Sequence, residues 1–217
     1  MKVALAGSTG HFGKLASKLF TGSGHSVTGI SREKWASTDF SEFDLCFLSV
    51  PVTEVGKYLE NCGDCPSVEI SSVKDPIKKY RGRVISIHPV FGPRSIDNPD
   101  FRNIIYVDDL SPDNGTEIIS SLFPEFRLVH MTAEEHDRAM VEVLIKPFFM
   151  SRIAAEITGG TFEFTGPSQM VLRQLASISA SESSGVLEDT IRLNPFARAA
   201  LKEIAQVSNE LEKEYSK

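Results

Sequence analysis

The most constraining stretch of the 217-residue chain is Gly7-Ser8-Thr9-Gly10-His11-Phe12-Gly13, three evenly spaced glycines lying between a short apolar run and a helical pattern. Lys2 to Ala6 (KVALA) has the apolar, partly β-branched character of a buried strand, and His11 to Phe20 repeats its apolar residues at helical spacing. A strand that turns on glycines into a helix leaves the first N–H groups of that helix unpaired at the positive end of its dipole, where a pyrophosphate binds. Glycine lets the backbone turn sharply and approach phosphate oxygens closely. The spacing is GxxGxxG and not GxGxxG, so the position of the loop, at the first strand-to-helix turn, carries part of the argument. All seven residues, Gly7, Ser8, Thr9, Gly10, His11, Phe12 and Gly13, are expected to touch the dinucleotide.

The rest of the first half fits this start. His25 to Ile30 alternates as a second strand, and Asp44 to Val50 is apolar enough to be buried on both faces of a parallel sheet. Ser67 to Ser71, Arg83 to Ile87 and Asn103 to Val107 continue the series, with Arg127 to Val129 as a short last strand and helical stretches between. Strands alternating with helices predict an α/β fold, a doubly wound and mostly parallel sheet of Rossmann type. From residue 131 the texture changes: Thr132-Ala133-Glu134-Glu135 reads as a capping box, and the remainder of the chain is helical in pattern. Gly159-Gly160 and Thr165-Gly166-Pro167 punctuate it as turns, and Asn194-Pro195 starts a last helix running to about Glu214. The division expected is a nucleotide-binding domain over 1–130 and a smaller all-helical domain over 131–217.

Composition excludes several alternatives. With a net charge of −6 the chain lacks the basic footprint of a nucleic-acid binder. No apolar run approaches a membrane span, and the apolar N-terminal stretch is too short for a signal-peptide core, so the expected compartment is the cytoplasm. The cysteines, at 46, 62 and 65, are odd in number, and Cys62-Gly-Asp-Cys65 is a single CxxC with no second pair. Structural zinc needs four ligands, so no metal is expected and these are read as reduced thiols.

The end of the second strand selects the nucleotide. NAD enzymes place Asp or Glu there for the ribose 2′-OH, whereas this chain has Ser31-Arg32 with Lys34 nearby. A hydroxyl and a guanidinium suit a 2′-phosphate, which an acid would repel, so NADP is expected ahead of NAD. Val50-Pro51, closing the third strand, is assigned to the cofactor by topology. The fifth strand runs into Ile87-His88-Pro89-Val90-Phe91-Gly92, which puts a histidine at the carboxyl edge of the sheet, where open α/β folds bind ligands. An imidazole there can take a proton from a substrate hydroxyl while hydride leaves the same carbon.

In the glycine loop, Ser71-Ser72-Val73-Lys74, His88-Pro-Val-Phe-Gly92, Glu135-His136-Asp137 and Asp189-Thr-Ile-Arg192, the sequence resembles the prephenate and arogenate dehydrogenase family, with the segments in the family's order over nearly the whole chain. The resemblance implies that His88 hydrogen-bonds the ring hydroxyl of prephenate and that Ser72 assists it. It implies that Arg192 receives a substrate carboxylate with Asp189 as its ionic neighbour, and that the helical part forms a homodimer interface, for which Val141 to Phe149 is apolar enough. Where the family carries a two-histidine SHLPH-like stretch, this sequence has Ile145 and Phe148, with Lys146 as the cation left to meet the substrate.

The activity implied is NADP-linked oxidative decarboxylation of prephenate to 4-hydroxyphenylpyruvate. Arogenate is the alternative substrate. A module that binds NADP without turnover is the alternative of another class, favoured by the absent histidine pair. A short-chain-type reductase is disfavoured, because none of Tyr58, Tyr80, Tyr106 and Tyr215 has a lysine four residues on.

Overall fold

The computed structural model describes residues 1–159, 164–181 and 184–216; Gly160, half of the Gly159-Gly160 turn, lies outside them. The chain divides into two compact units, Met1–His136 and Asp137–Lys217.

The first unit is built on a sheet of β1 (Lys2–Ala6), β2 (Ser26–Ile30), β3 (Leu45–Leu48), β4 (Ser67–Glu69), β5 (Ile85–Pro89), β6 (Asn103–Val107) and β7 (Arg127–Met131) in the order β2-β1-β3-β4-β5-β6-β7. The first five pair in parallel. The chain order reverses between β1 and β3, the switch point at which doubly wound sheets open a crevice at their carboxyl edge. The strand predictions hold to within two or three residues, and β5 extends far enough to include His88.

Two features were not legible beforehand. β6 runs antiparallel to β5, with His88 opposite Ile105, and β7 then pairs parallel to β6. Segment 90–102, which joins β5 to β6, therefore leaves and returns at the same carboxyl edge. The expected helical crossovers are also mostly single turns: α2 (Arg32–Trp35), α3 (Val55–Leu59) and 3-10 turns at Phe40–Glu42, Val52–Glu54 and Asp75–Tyr80. Full crossover helices are α1 (His11–Gly22) and α4 (Gly115–Leu122).

The central strands read as apolar runs because both faces are covered, and Val3 to Ala6 and Leu45 to Leu48 are completely buried. Under α1 the core is aromatic: Phe20 meets Phe47 at 4.9 Å and Phe123 at 5.1 Å between ring centroids, both edge-on. Each such ring removed from water stabilises the fold by roughly 1.5–3 kcal/mol, which anchors the helix that carries the glycine loop.

α5 (Ala133–Met140) opens in the first unit on the capping box predicted for Thr132 and Glu135. The Thr132 N–H donates to the Glu135 carboxylate at 2.8 Å, and the Glu135 N–H donates to the Thr132 hydroxyl at 3.2 Å. The second unit is helical, as expected: a π-helical turn at Val141–Ile145, then α6 (Lys146–Ile157), α7 (Pro167–Ser181), α8 (Ser184–Leu193) and α9 (Ala197–Tyr215). Val141, Ile145, Ala197 and Ala200 form its small buried core. Among the described residues no helix is long and apolar enough to cross a membrane, and no cluster of His, Cys, Asp and Glu could hold a metal ion.

Candidate functional site

The glycine loop is a tight turn, closed by the Gly10 N–H donating to the Gly7 carbonyl at 3.0 Å. Gly7 has φ +73°, and a side chain on it would run into the Ser49 carbonyl; one on Gly13 would strike the Gly7 carbonyl. Neither position admits another residue without moving the backbone. No side chain caps α1, whose N-cap is Gly10, and Thr9, Gly10 and His11 are exposed. The first N–H groups of a twelve-residue helix are thus open above a cradle that a Cβ would fill, a geometry that fits a pyrophosphate.

The cradle is tied to its surroundings. Ser8 lies over the end of β2, since a Cβ on Gly29 would meet its hydroxyl at 2.5 Å. Beyond Ile30, Ser31 stands at the N-cap position of α2 without a side-chain capping bond, and Trp35 pins that short helix by burying its ring and donating from Nε1 to the Tyr58 carbonyl at 3.1 Å. Arg32 is left exposed, its charge strengthened by the Tyr58 hydroxyl and then by Glu54, whose carboxylate lies 3.9 Å away. Ser31 also faces an acid: the Glu33 carboxyl is held below its ordinary range by its own backbone N–H and then by the Ser31 hydroxyl. Lys34 is exposed on the same turn, and Val50-Pro51 leaves β3 at the carboxyl edge beside the loop.

The chemistry-bearing cluster lies two strands away, at the ends of β4 and β5. His88 is only 8% exposed, and its Nδ1 lies 3.0 Å from Nε2 of His136, which is fully buried. Beneath them Lys74 and Glu69, both completely buried, form an ion pair at 2.6 Å. Lys74 also donates to the Ile87 carbonyl at 2.7 Å, and Glu69 accepts from the Ser71 N–H at 2.8 Å and from the Ser86 hydroxyl. A buried ion pair is tolerable only when its remaining hydrogen-bonding sites are filled in this way. Burial pushes the His88 pKa well below the ordinary histidine value, with His136 and Lys74 adding to the effect. Burial and then Lys74 push His136 down as well. Both imidazoles are neutral at pH 7. The Ser71 hydroxyl is buried with no hydrogen-bond partner, and Ser72 beside it is half-buried.

Phe12, at the start of α1, and Phe91, three residues past His88, have ring centroids 5.7 Å apart. This contact joins the glycine loop to the histidine segment. Sequence reasoning assigned no role to Glu69, Lys74, Ser86 and His136. The available signal was Glu69, a charge inside an apolar strand with a lysine five residues on.

The remaining predicted residues belong to the second unit. Arg192, on α8, is 77% exposed and pairs with Glu188 at 3.8 Å. On the helix the four-residue spacing aligns Glu188 with the guanidinium, and Asp189, three residues before Arg192, is half-buried. Lys146 is held by two carboxylates, Glu142 at 2.7 Å and Glu203 at 2.9 Å. Ile145, one of the two positions aligned with the family's histidines, is completely buried in the apolar core of this unit, and Phe148 is half-buried.

No protein-family model matches the chain. Among curated proteins, the T-protein of Enterobacter agglomerans is 27% identical over 150 residues, covering 64% of this chain and 40% of that protein. The chain thus spans about two fifths of the length of this curated relative. Among solved structures, prephenate dehydrogenase from A. aeolicus in complex with hydroxyphenyl propionate and NAD+ superposes with a TM-score of 0.71 at 15% identity, covering 98% of this chain and 90% of that one. Synechocystis arogenate dehydrogenase superposes with a TM-score of 0.62 at 18% identity, over the same shares of the two chains. These likenesses bear out the Rossmann-type fold, and the chain is similar to prephenate and arogenate dehydrogenases of known structure over nearly its whole length.

Proposed function

We propose that the chain is an NADP-dependent dehydrogenase that converts prephenate to 4-hydroxyphenylpyruvate, with Met1–His136 binding the nucleotide and the helical unit supplying substrate contacts. The observation that carries this reading is His88, buried and neutral at the carboxyl edge of β5 and tied through Phe91 and Phe12 to a loop shaped for a pyrophosphate. The nicotinamide, when bound, accepts the hydride that leaves the ring carbon bearing the hydroxyl.

As that hydride departs, positive charge grows on the hydroxyl, and the free Nε2 of His88 accepts its hydrogen bond. Loss of carbon dioxide from the opposite ring carbon then returns electrons to the ring and leaves a phenol. The phenol keeps the hydroxyl proton, so the step needs no net proton acceptor, and an imidazole held neutral by its surroundings is sufficient. A dianionic substrate beside it offsets the influence of Lys74 and strengthens that hydrogen bond. Ser72 assists at the same edge, and Arg192, with one weak surface partner, is available to a substrate carboxylate. Lys146 reaches a substrate only by leaving Glu142 or Glu203.

Ser31, Arg32 and Lys34 are assigned to the 2′-phosphate of NADP. The helical unit is assigned a homodimer interface; Val141 and Ile145 of the stretch expected to form it lie in that unit's own core, which leaves the exposed apolar residues Leu201, Val207, Leu211 and Tyr215, spaced along one side of α9, as the surface for it. Arogenate differs from prephenate only in bearing an amine for the keto group and is the alternative substrate. A second reading, nucleotide binding without turnover, is favoured by Ile145 being locked in an apolar core and by the neutralised Lys146.

One assay separates these readings. The purified chain is given prephenate or arogenate with NADP or NAD, and reduced nicotinamide is followed by absorbance. The enzyme reading requires turnover that His88→Asn abolishes while NADP binding persists. Tight NADP binding with no turnover on either substrate would establish the second reading.

A further inference from the structure

His136 is a titratable side chain in contact with His88 whose role the proposed reaction leaves open. It is reached through a chain of local causes. The Thr132–Glu135 capping box fixes the first turn of α5, the His136 N–H donates to the Thr132 carbonyl at 2.9 Å, and the imidazole is thereby delivered to Nδ1 of His88, 48 residues earlier. At 0% exposure it is sealed from solvent, and its Nε2 meets the site at Nδ1 of His88.

Two neutral imidazoles 3.0 Å apart share one hydrogen, and which ring owns it decides what the other face of His88 can do. If His88 carries it on Nδ1, its Nε2 presents a lone pair; if His136 carries it, His88 Nε2 bears hydrogen and can only donate. Accepting from a substrate hydroxyl requires the first arrangement.

We infer that His136 is a positioning residue that accepts the Nδ1–H of His88, fixing the tautomer and ring orientation in which Nε2 faces the substrate as an acceptor. This inference rests on the reading of His88 as the acceptor of the ring hydroxyl's hydrogen bond. Burial is what chiefly keeps both rings uncharged, and Lys74, although paired with Glu69 on β4, adds to the effect.

The test uses the whole chain and two readouts. Imidazole nitrogen shifts in the ligand-free protein at neutral pH report the tautomer directly, and His88 is expected as Nδ1–H with a bare Nε2. His136→Leu, which fills the space without an acceptor, is expected to lower kcat about 10²-fold, the scale of one lost hydrogen bond to charge that grows in the transition state, with KM and NADP affinity changed less than about threefold. His136→Gln, whose Oε1 can accept the same hydrogen, is expected to recover most of that loss, a rescue that a merely space-filling role would not produce.

The inference is overturned by a His88 found as Nε2–H in the wild type, by His136→Leu keeping its kcat, or by His136→Gln being as impaired as the leucine variant. Should the wild type turn over neither substrate, the proposed reaction fails, and the tautomer measurement alone still decides whether His136 accepts from His88.

Discussion

Lys74 carries its ammonium into the interior to meet the Glu69 carboxylate at 2.6 Å, with neither side chain exposed to solvent. Breaking one partner of such a pair leaves a buried charge without compensation. Lys74→Met is therefore expected to destabilise the first unit by about 3–5 kcal/mol in urea unfolding. The double variant Glu69→Gln with Lys74→Met removes both charges and keeps an acceptor for Ser71 and Ser86, so it should unfold at higher urea than Lys74→Met alone. Equal midpoints would mean the charges are not what sustains the network.

The two buried histidines set the direction of the acid response. Both have folded pKa values below the ordinary 6.5, His136 being pushed down to about 2. Below 6.5 the unfolded chain binds more protons than the folded one. Their contribution is present in full above that value and is lost as pH falls toward the folded values, with a slope of about 1.4 kcal/mol per pH unit for each histidine. Urea titrations from about pH 7.5 down to about pH 4.5 should show this decline, and His136→Gln, with one titrating group fewer, should flatten it.

Replacing Gly13 with alanine places a methyl group against the Gly7 carbonyl. The loop must open to accommodate it, which misdirects the N–H groups at the start of α1. Calorimetry with NADP should show binding lost or weakened by more than about tenfold, roughly 1.4 kcal/mol, while circular dichroism keeps its α/β signature.

Arg32 discriminates between nucleotides if it meets a 2′-phosphate. Arg32→Ala should weaken NADP by about tenfold or more and leave NAD within about twofold. Glu54→Gln frees the guanidinium from its competitor and should tighten NADP modestly. Parallel losses for both nucleotides would remove Arg32 from the 2′ corner.

The exposed stripe on α9 predicts self-association. Leu201→Glu combined with Leu211→Glu should convert a dimer to a monomer in sedimentation or light scattering, with little change in secondary structure. A wild-type chain that is already monomeric would dismiss the stripe as an interface.

The features that could be read in advance are those that neighbouring residues decide among themselves. The glycine loop, the apolar strands, the Thr132–Glu135 capping box and the helical run after it all come from patterns a few residues long, and His88 at a strand end comes from the same alternation. The reversal of β6 is settled by packing at the far side of the sheet and leaves no local trace. Glu69 and Lys74 look like surface charges until the strand carrying one and the turn carrying the other are both covered. The meeting of His88 with His136 depends on where a helix begins 48 residues later. The π turn before Lys146 disrupts the helical phase that sequence reasoning assumes to be continuous. Two acids, at 188 and 189, lie at helical spacing before Arg192, and sequence alone does not say that Glu188 is the one within 3.8 Å of it.

The hairpin-like return from β5 to β6 separates two traits that are fused in many enzymes. His88 is seated by its register with Ile105 and by strands buried around it, whereas segment 90–102 swings out and back at one rim without threading the sheet. Past Phe91, which is anchored in the core against Phe12 and Phe126, the exposed part of that excursion can change length or sequence while the strand keeps the imidazole in place.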